Sequence, residues 1–320
     1  MDKARVFFGL FSMCMVTWGM APSITIDDLA ARCKQMESDI KDICLEYAYF
    51  AVPPLTFEEL QVVEGTSASM PWIIKDSRKM VRFCASGLLG PLEPSGSILG
   101  RLPQRYILRS EATMMSQEGK SWKVVDTSGF DGKVSYTFRE ENLRKIGSIS
   151  RQKQHFAVLS TPLAFSVFRL AYSPVTDYKP LSQVLGQKEF VRLNTNVTKI
   201  VDFNAISVEL LNDQTRQPVM RVYFSVDHGY TPVKYESLNY GSEVSLCVQV
   251  ESLEKLADHC WFPTSGQIWS ADERRVYCFM STGKVQINQG LEEKDFRVSF
   301  PPGTQVDDAI KGTRYVVPAD

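Results

Sequence analysis

Histidine is scarce in this chain of 320 residues: only His155, His228 and His259 occur. His228 sits between Asp227 and Gly229, and His259 between Asp258 and Cys260, both in segments that read as turns. A Cys260–His259 nucleophile pair is disfavoured, because neighbours on an extended chain point to opposite faces. A metal site built from His228, His259 and Asp258 has no ligand spacing behind it, and His155 has no recognisable partner. CxxC, GxSxG, Walker A and HExxH patterns are all missing, which removes the common zinc, hydrolase, nucleotide and metalloprotease signatures. The net charge is only -1 and no basic-aromatic interleaving occurs, so a nucleic acid is not the expected partner. Internal repeats and low-complexity tracts are also lacking. The one match to a modification motif is the Asn196-Val197-Thr198 sequon, relevant only in a eukaryotic host.

Beyond the N-terminus no apolar run reaches the ~20 residues needed to span a bilayer. At the N-terminus, Lys3 and Arg5 precede an apolar run from Val6 to Val16, with small residues at Ala21 and Ser23. That is the outline of a secretory signal peptide over residues 1–23. Cleavage after Ser23 fits better than after Ala21, which would leave Pro22 at the new terminus. Phe11 and Met13 occupy positions where a lipid-modified Cys14 would need aliphatic and small residues. The expected address is therefore outside the cytoplasm, in the periplasm or cell envelope.

Export permits disulfides, and six cysteines remain after Cys14: Cys33, Cys44, Cys84, Cys247, Cys260 and Cys278. Their irregular spacing indicates no framework and leaves the pairing open. Cys33 and Cys44 fall on one face of a predicted helix, Ile26–Cys44, roughly 16 Å apart at ~1.5 Å rise per residue, too far to bridge. Ile26, Leu29, Cys33, Met36, Ile40 and Ile43 form the apolar stripe of that helix.

The clearest pattern lies in Pro218–Thr264. Met220, Val222, Phe224 and Val226 alternate with polar residues, and Val244, Leu246, Val248 and Val250 repeat the alternation. Period two predicts half-buried antiparallel strands, with Cys247, Gln249 and their neighbours in water. Further strands are expected at Arg105–Ala112, Ser121–Asp126, Lys133–Arg139, Glu189–Asn194, Lys199–Phe203, Ala205–Leu211, Gln267–Trp269, Arg274–Met280, Lys284–Ile287 and Phe296–Phe300. Pro301-Pro302 ends the sheet, with Tyr315–Val317 as one last edge strand. Prolines and glycines make residues 52–104 a loop-rich excursion, with a short helix over Ser77–Leu88. Loops fill residues 140–190, interrupted by a buried apolar helix at Pro162–Tyr172 and a turn of helix at Leu181–Leu185. The predicted fold is mainly β (α+β): a strongly curved antiparallel sheet with an N-terminal helix and a plugging helix.

Eighteen Phe, twelve Tyr and five Trp on such a sheet either fill a core or line a cavity. Phe130-Asp131-Gly132-Lys133, Pro218–Glu236, Trp261-Phe262-Pro263-Thr264 and Phe300-Pro301-Pro302-Gly303-Thr304, together with the first helix, resemble the LolA/LolB-like superfamily of periplasmic lipoprotein-binding proteins. The chain looks most like exported LolA-like proteins of planctomycete-type bacteria. The resemblance implies an incomplete barrel, plugged by helices, whose hydrophobic cavity accepts acyl chains.

Residues 24–320 are thus read as one half-barrel domain, a non-enzymatic, monomeric exported protein binding a lipid, a lipoprotein acyl chain or another hydrophobic ligand. A membrane-associated partner fits that role; no cofactor and no metal are assigned. Leu163, Phe165 and Phe168 are the expected lid face, and Tyr106, Trp122 and Tyr136 the expected sheet face. Val222, Phe224, Leu246 and Val248 either pack against a helix or line the cavity. An envelope protein-interaction or stress-sensing module without a cavity is the alternative, and a hydrolase with unrecognised carboxylates the third.

Overall fold

Thr25 fixes where regular structure begins. Its hydroxyl accepts from the Asp28 amide at 3.2 Å, and the Asp28 carboxylate accepts from the Thr25 amide at 3.0 Å. This reciprocal pair satisfies two amides that a helix start leaves open, and holds the Asp28 carboxyl below its usual range. Helix α1 (Ile26–Asp39) buries Leu29, Cys33 and Met36 along one stripe. It ends five residues before Cys44, because Ile40 turns extended and the alternation of Ile43, Leu45 and Tyr47 favours a strand. The computed structural model describes residues 24–52, 79–89, 103–115, 121–151, 161–172, 179–239, 243–271 and 275–319. The expected leader, residues 1–23, lies outside them, as does His155.

Among the described residues, sixteen strands form one sheet. In chain order they are β1 (Asp42–Val52), β2 (Lys79–Ser86), β3 (Arg105–Met115), β4 (Ser121–Phe130), β5 (Ser135–Glu141) and β6 (Arg144–Ser150). After a crossing segment come β7 (Val191–Ile200), β8 (Phe203–Leu211), β9 (Pro218–Ser225), β10 (Thr231–Leu238), β11 (Val244–Ala257), β12 (Cys260–Ser270) and β13 (Arg275–Ser281). The chain closes with β14 (Gln286–Ile287), β15 (Gln305–Asp308) and β16 (Thr313–Val316). Strand β1 lies mid-sheet: β2 to β6 step away on one side, and β7 to β13 return to it from the other. Among the described residues all pairings are antiparallel except β15 on β6. Among the described residues the ends, β16 and β7, do not pair, so the curved sheet stays open. Register shifts beside Pro232 and Pro263 let prolines sit inside central strands and bend them.

One face carries α1, the crossing segment and α2 (Leu181–Leu185) over a continuous apolar cluster from all these elements. The opposite face departs from the expected wet side. Cys247, Gln249, Lys234, Glu236 and Gln267 are buried there. Ion pairing compensates the charged members of this group. Arg221 bridges Glu209 at 3.0 Å and Glu236 at 3.1 Å, and Lys234 reaches Glu236 at 3.2 Å. The Tyr223 hydroxyl donates to Glu236 at 3.0 Å, so each carboxylate is compensated.

Four expectations are corrected. The helix expected over Ser77–Leu88 is not found over the described residues 79–88: β2 puts Val81, Phe83 and Ala85 into the core and Arg82 and Cys84 on the other face. Strand β6 lies within the expected loops, joined to β5 by a two-residue turn, Asn142-Leu143, with both residues at positive φ. Phe296–Phe300 is not a strand but follows a 3-10 turn, Glu293–Phe296, across the opposite face. The sheet also continues past Pro301-Pro302, since β15 resumes pairing after them.

Candidate functional site

The crossing segment, residues 161–172, lies against β10, β11 and β12 on the helix-bearing face. It is two short 3-10 turns, Pro162–Phe165 and Arg169–Tyr172, rather than the single expected helix. Ser166 breaks it. Its hydroxyl donates to the Leu163 carbonyl at 3.0 Å and accepts from the Phe168 amide at 3.3 Å, replacing bonds a helix would make with backbone alone. Tyr235 then reaches across from β10 and donates its hydroxyl to the Ser166 carbonyl at 2.7 Å.

Leu163, Phe165 and Phe168 are fully buried in the main apolar cluster. The Phe165 ring lies 4.4 Å from the Phe279 ring and fills the notch left by Gly266 on β12. Tyr106, Val222, Phe224 and Val248 belong to the same cluster, and Leu246 packs on its edge. That cluster also holds buried residues of the crossing segment and of α1.

Arg169 and Glu37 bring charge into this apolar surround. Arg169, only 6% exposed, donates through Nη1 to the Ala164 carbonyl at 3.4 Å and stands 5.6 Å from the Tyr235 ring centre. Its Nε has no partner among the described residues, and burial lowers the guanidinium to about 10. Glu37 on α1 accepts from the Ser182 amide at 3.0 Å and from the Ser182 hydroxyl, which ties α1 to α2. Arg169 was visible as the one charge in an apolar run. Glu37 and Tyr235 carried no such signal.

No protein-family model matches the sequence, and no curated protein matches it. Solved structures similar to this chain include the following three. A DUF1329 family protein from Desulfovibrio piger is 11% identical, with a TM-score of 0.38 over 85% of this chain and 95% of that one. A putative outer membrane lipoprotein-sorting protein domain from Vibrio parahaemolyticus is 9% identical, with a TM-score of 0.38 over 85% and 97%. A LolA superfamily protein from Nitrosomonas europaea is 9% identical, with a TM-score of 0.39 over 86% and 99%. These likenesses assign no ligand and no residue role.

Two expected sheet-face residues lie outside the cluster. Trp122 is half-buried near the start of β4, its indole donating to Glu141 at 3.2 Å. Tyr136 is on the opposite face, where its hydroxyl donates to Asp131 at 3.0 Å. His228 is a turn residue: Nδ1 lies 2.8 Å from the Ser225 hydroxyl and the ring stands edge-on to Phe203 and Trp261. His259 is exposed while Cys260 is buried.

Proposed function

We propose that the chain is a non-catalytic carrier, exported to the periplasm or cell envelope and built as one half-barrel domain over residues 24–320. Its ligand is hydrophobic, a lipid or the acyl chain of a lipoprotein, taken up where residues 161–172 now fill the interior. The observation behind this is a plug made of two short turns that keeps three fully buried apolar side chains in place. The resemblance of Pro218–Glu236 and the proline-rich tail to acyl-chain carriers points the same way.

Energetics limit the ligand. Exposing Leu163, Phe165 and Phe168 costs roughly 5–9 kcal/mol at about 1.5–3 kcal/mol each. An acyl chain regains about 0.8 kcal/mol per buried methylene, so about ten methylenes offset the opening. Long chains bind; short ones do not. The test is binding of a fluorescent naphthylamine probe to the delipidated chain, with displacement by fatty acyl chains of increasing length. Probe binding displaced only by chains beyond about ten carbons supports the reading; no probe binding, with no lipid retained on purification, sinks it.

The complete packing of Val222, Phe224 and Val248 also favours a second reading, an envelope protein-interaction or stress-sensing module without a ligand cavity. Locking the plug separates the two. A crosslink that holds residues 161–172 in place abolishes ligand uptake in a carrier and leaves a pure interaction module unaffected.

A further inference from the structure

The face opposite the plug holds a cavity. Residues 288–304 cross β1–β6 on that side as a strap. The Asp42 carboxylate pins one end, accepting the amides of Gln289 at 2.7 Å, Gly290 at 3.0 Å and Leu291 at 3.4 Å. Further along, Phe296 is fully buried against Cys44 and Cys84, which face each other across β1 and β2 and form a disulfide. Two glycines let the strap come close. A Cβ on Gly129 would stand 2.6 Å from the Phe296 carbonyl oxygen, and one on Gly147 would stand 2.6 Å from the Phe300 ring.

Between these anchors the strap leaves a cavity of about 440 Å³, within the range of small-ligand sites. Its floor is the disulfide with Ile107, Val125 and Phe138, and its roof is Leu291 and Val298. The rim is charged and lopsided. Arg82 on β2 lies in register between Arg109 on β3 and Glu46 on β1, and Glu140 and Asp295 also line the cavity. Arg109 is committed to Glu111 at 3.0 Å, and Arg297 to Asp131 at 3.3 Å and to Glu293. Arg82 is exposed and has no ion-pair partner among the described residues. It also lines the two neighbouring clefts, of about 280 and 290 Å³, so it stands where all three openings meet.

We infer that this cavity binds a single-chain amphiphile with one negative charge, a long-chain fatty carboxylate, its tail between strap and disulfide and its head on Arg82. An apolar chamber with one uncommitted guanidinium at its mouth matches a tail and a carboxylate together. The carboxylates of Glu140 and Asp295 oppose a second negative charge on the head. The site needs no movement of residues 161–172 and is independent of the carrier reading.

The test is titration of the purified full chain with palmitate and with hexadecanol below their aggregation limits. Parent, Arg82→Ala, Val125→Phe and Phe165→Ala are compared, each verified as folded by circular dichroism. Arg82→Ala should weaken palmitate about tenfold or more, the loss expected for one charge-assisted contact, and leave hexadecanol unchanged. Val125→Phe, which narrows the floor, should weaken both. Palmitate affinity unchanged by both variants overturns the proposal, and so does no palmitate binding by the parent. If palmitate responds to Phe165→Ala alone, the carrier reading stands and this site falls.

Discussion

Phe165 occupies the volume that a side chain on Gly266 would need: a Cβ there would stand 2.7 Å from the Phe165 Cδ1 and 2.5 Å from the Gln249 carbonyl oxygen. The plug is therefore keyed to the wall at one place. Phe165→Ala should destabilise the fold by about 3–5 kcal/mol, as for other fully buried phenylalanines, and open space beneath the plug. If the vacated space is where ligand enters, the same variant should bind a hydrophobic probe more tightly than the parent. Urea denaturation and probe titration on one preparation check both; a destabilised variant with unchanged probe affinity would remove Phe165 from the entry route.

The Cys44–Cys84 disulfide joins mid-sheet neighbours that are 40 residues apart in sequence. Closing a loop of that length restricts the unfolded chain by about 4 kcal/mol. The Cys44→Ser/Cys84→Ser double variant should therefore unfold at lower urea, with a somewhat steeper slope as the freed unfolded chain exposes more surface. An unchanged midpoint would mean that the bridge contributes nothing to folding.

What was legible in the sequence follows from how the signal arises. Alternation in Met220–Val226 and Val244–Val250 identified β9 and β11 because one face of each meets an apolar cluster. The same rule failed at Cys247 and Gln249, since it cannot foresee ion pairs such as Arg221–Glu236 that allow the other face to be buried as well. Strand β2 was missed although Val81, Phe83 and Ala85 alternate, because the prolines and glycines around them dominated the reading. Residues 163–170 are buried, as the apolar run predicts, but Ser166, with its local hydroxyl bonds, decides against a helix. The strap cavity left no trace in sequence at all. It depends on Gly129 and Gly147 meeting Phe296 and Phe300, contacts between residues far apart in the chain.

Leu143 is 95% exposed with φ 68° in the turn between β5 and β6, where side chains are disfavoured. Leu143→Gly should relieve that strain and stabilise the protein by about 1 kcal/mol, the scale set by the left-handed penalty. Thermal unfolding reads this directly. A lower melting temperature would show that the leucine contributes more than its backbone strain removes.

Cys33, Cys247 and Cys260 are buried, and Cys278 is largely shielded. Burial raises the Cys33 thiol well above its ordinary range, Cys260 to about 11 and Cys278 to about 12. The thiolate is the reactive form, so these three should resist iodoacetamide at pH 8 in the native protein. Peptide mapping should find them labelled only after denaturant is added. Rapid native labelling of Cys278 would mean that β13 opens locally.

Glu251 is a half-buried carboxylate on β11. Burial raises its carboxyl above the ordinary value, and the hydrogen bond from Ser265 only partly opposes this. The folded state therefore holds this proton more tightly than the unfolded chain does. Its contribution to stability is present in full below the unfolded value near 4.5 and is lost as pH rises through the higher folded value. Glu251→Gln copies the protonated form and escapes that loss. The variant should match the parent near pH 4 and exceed it in stability at pH 8, with the gap opening between. Urea midpoints measured across this range decide the matter, because a gap of constant size would show that Glu251 does not titrate on folding.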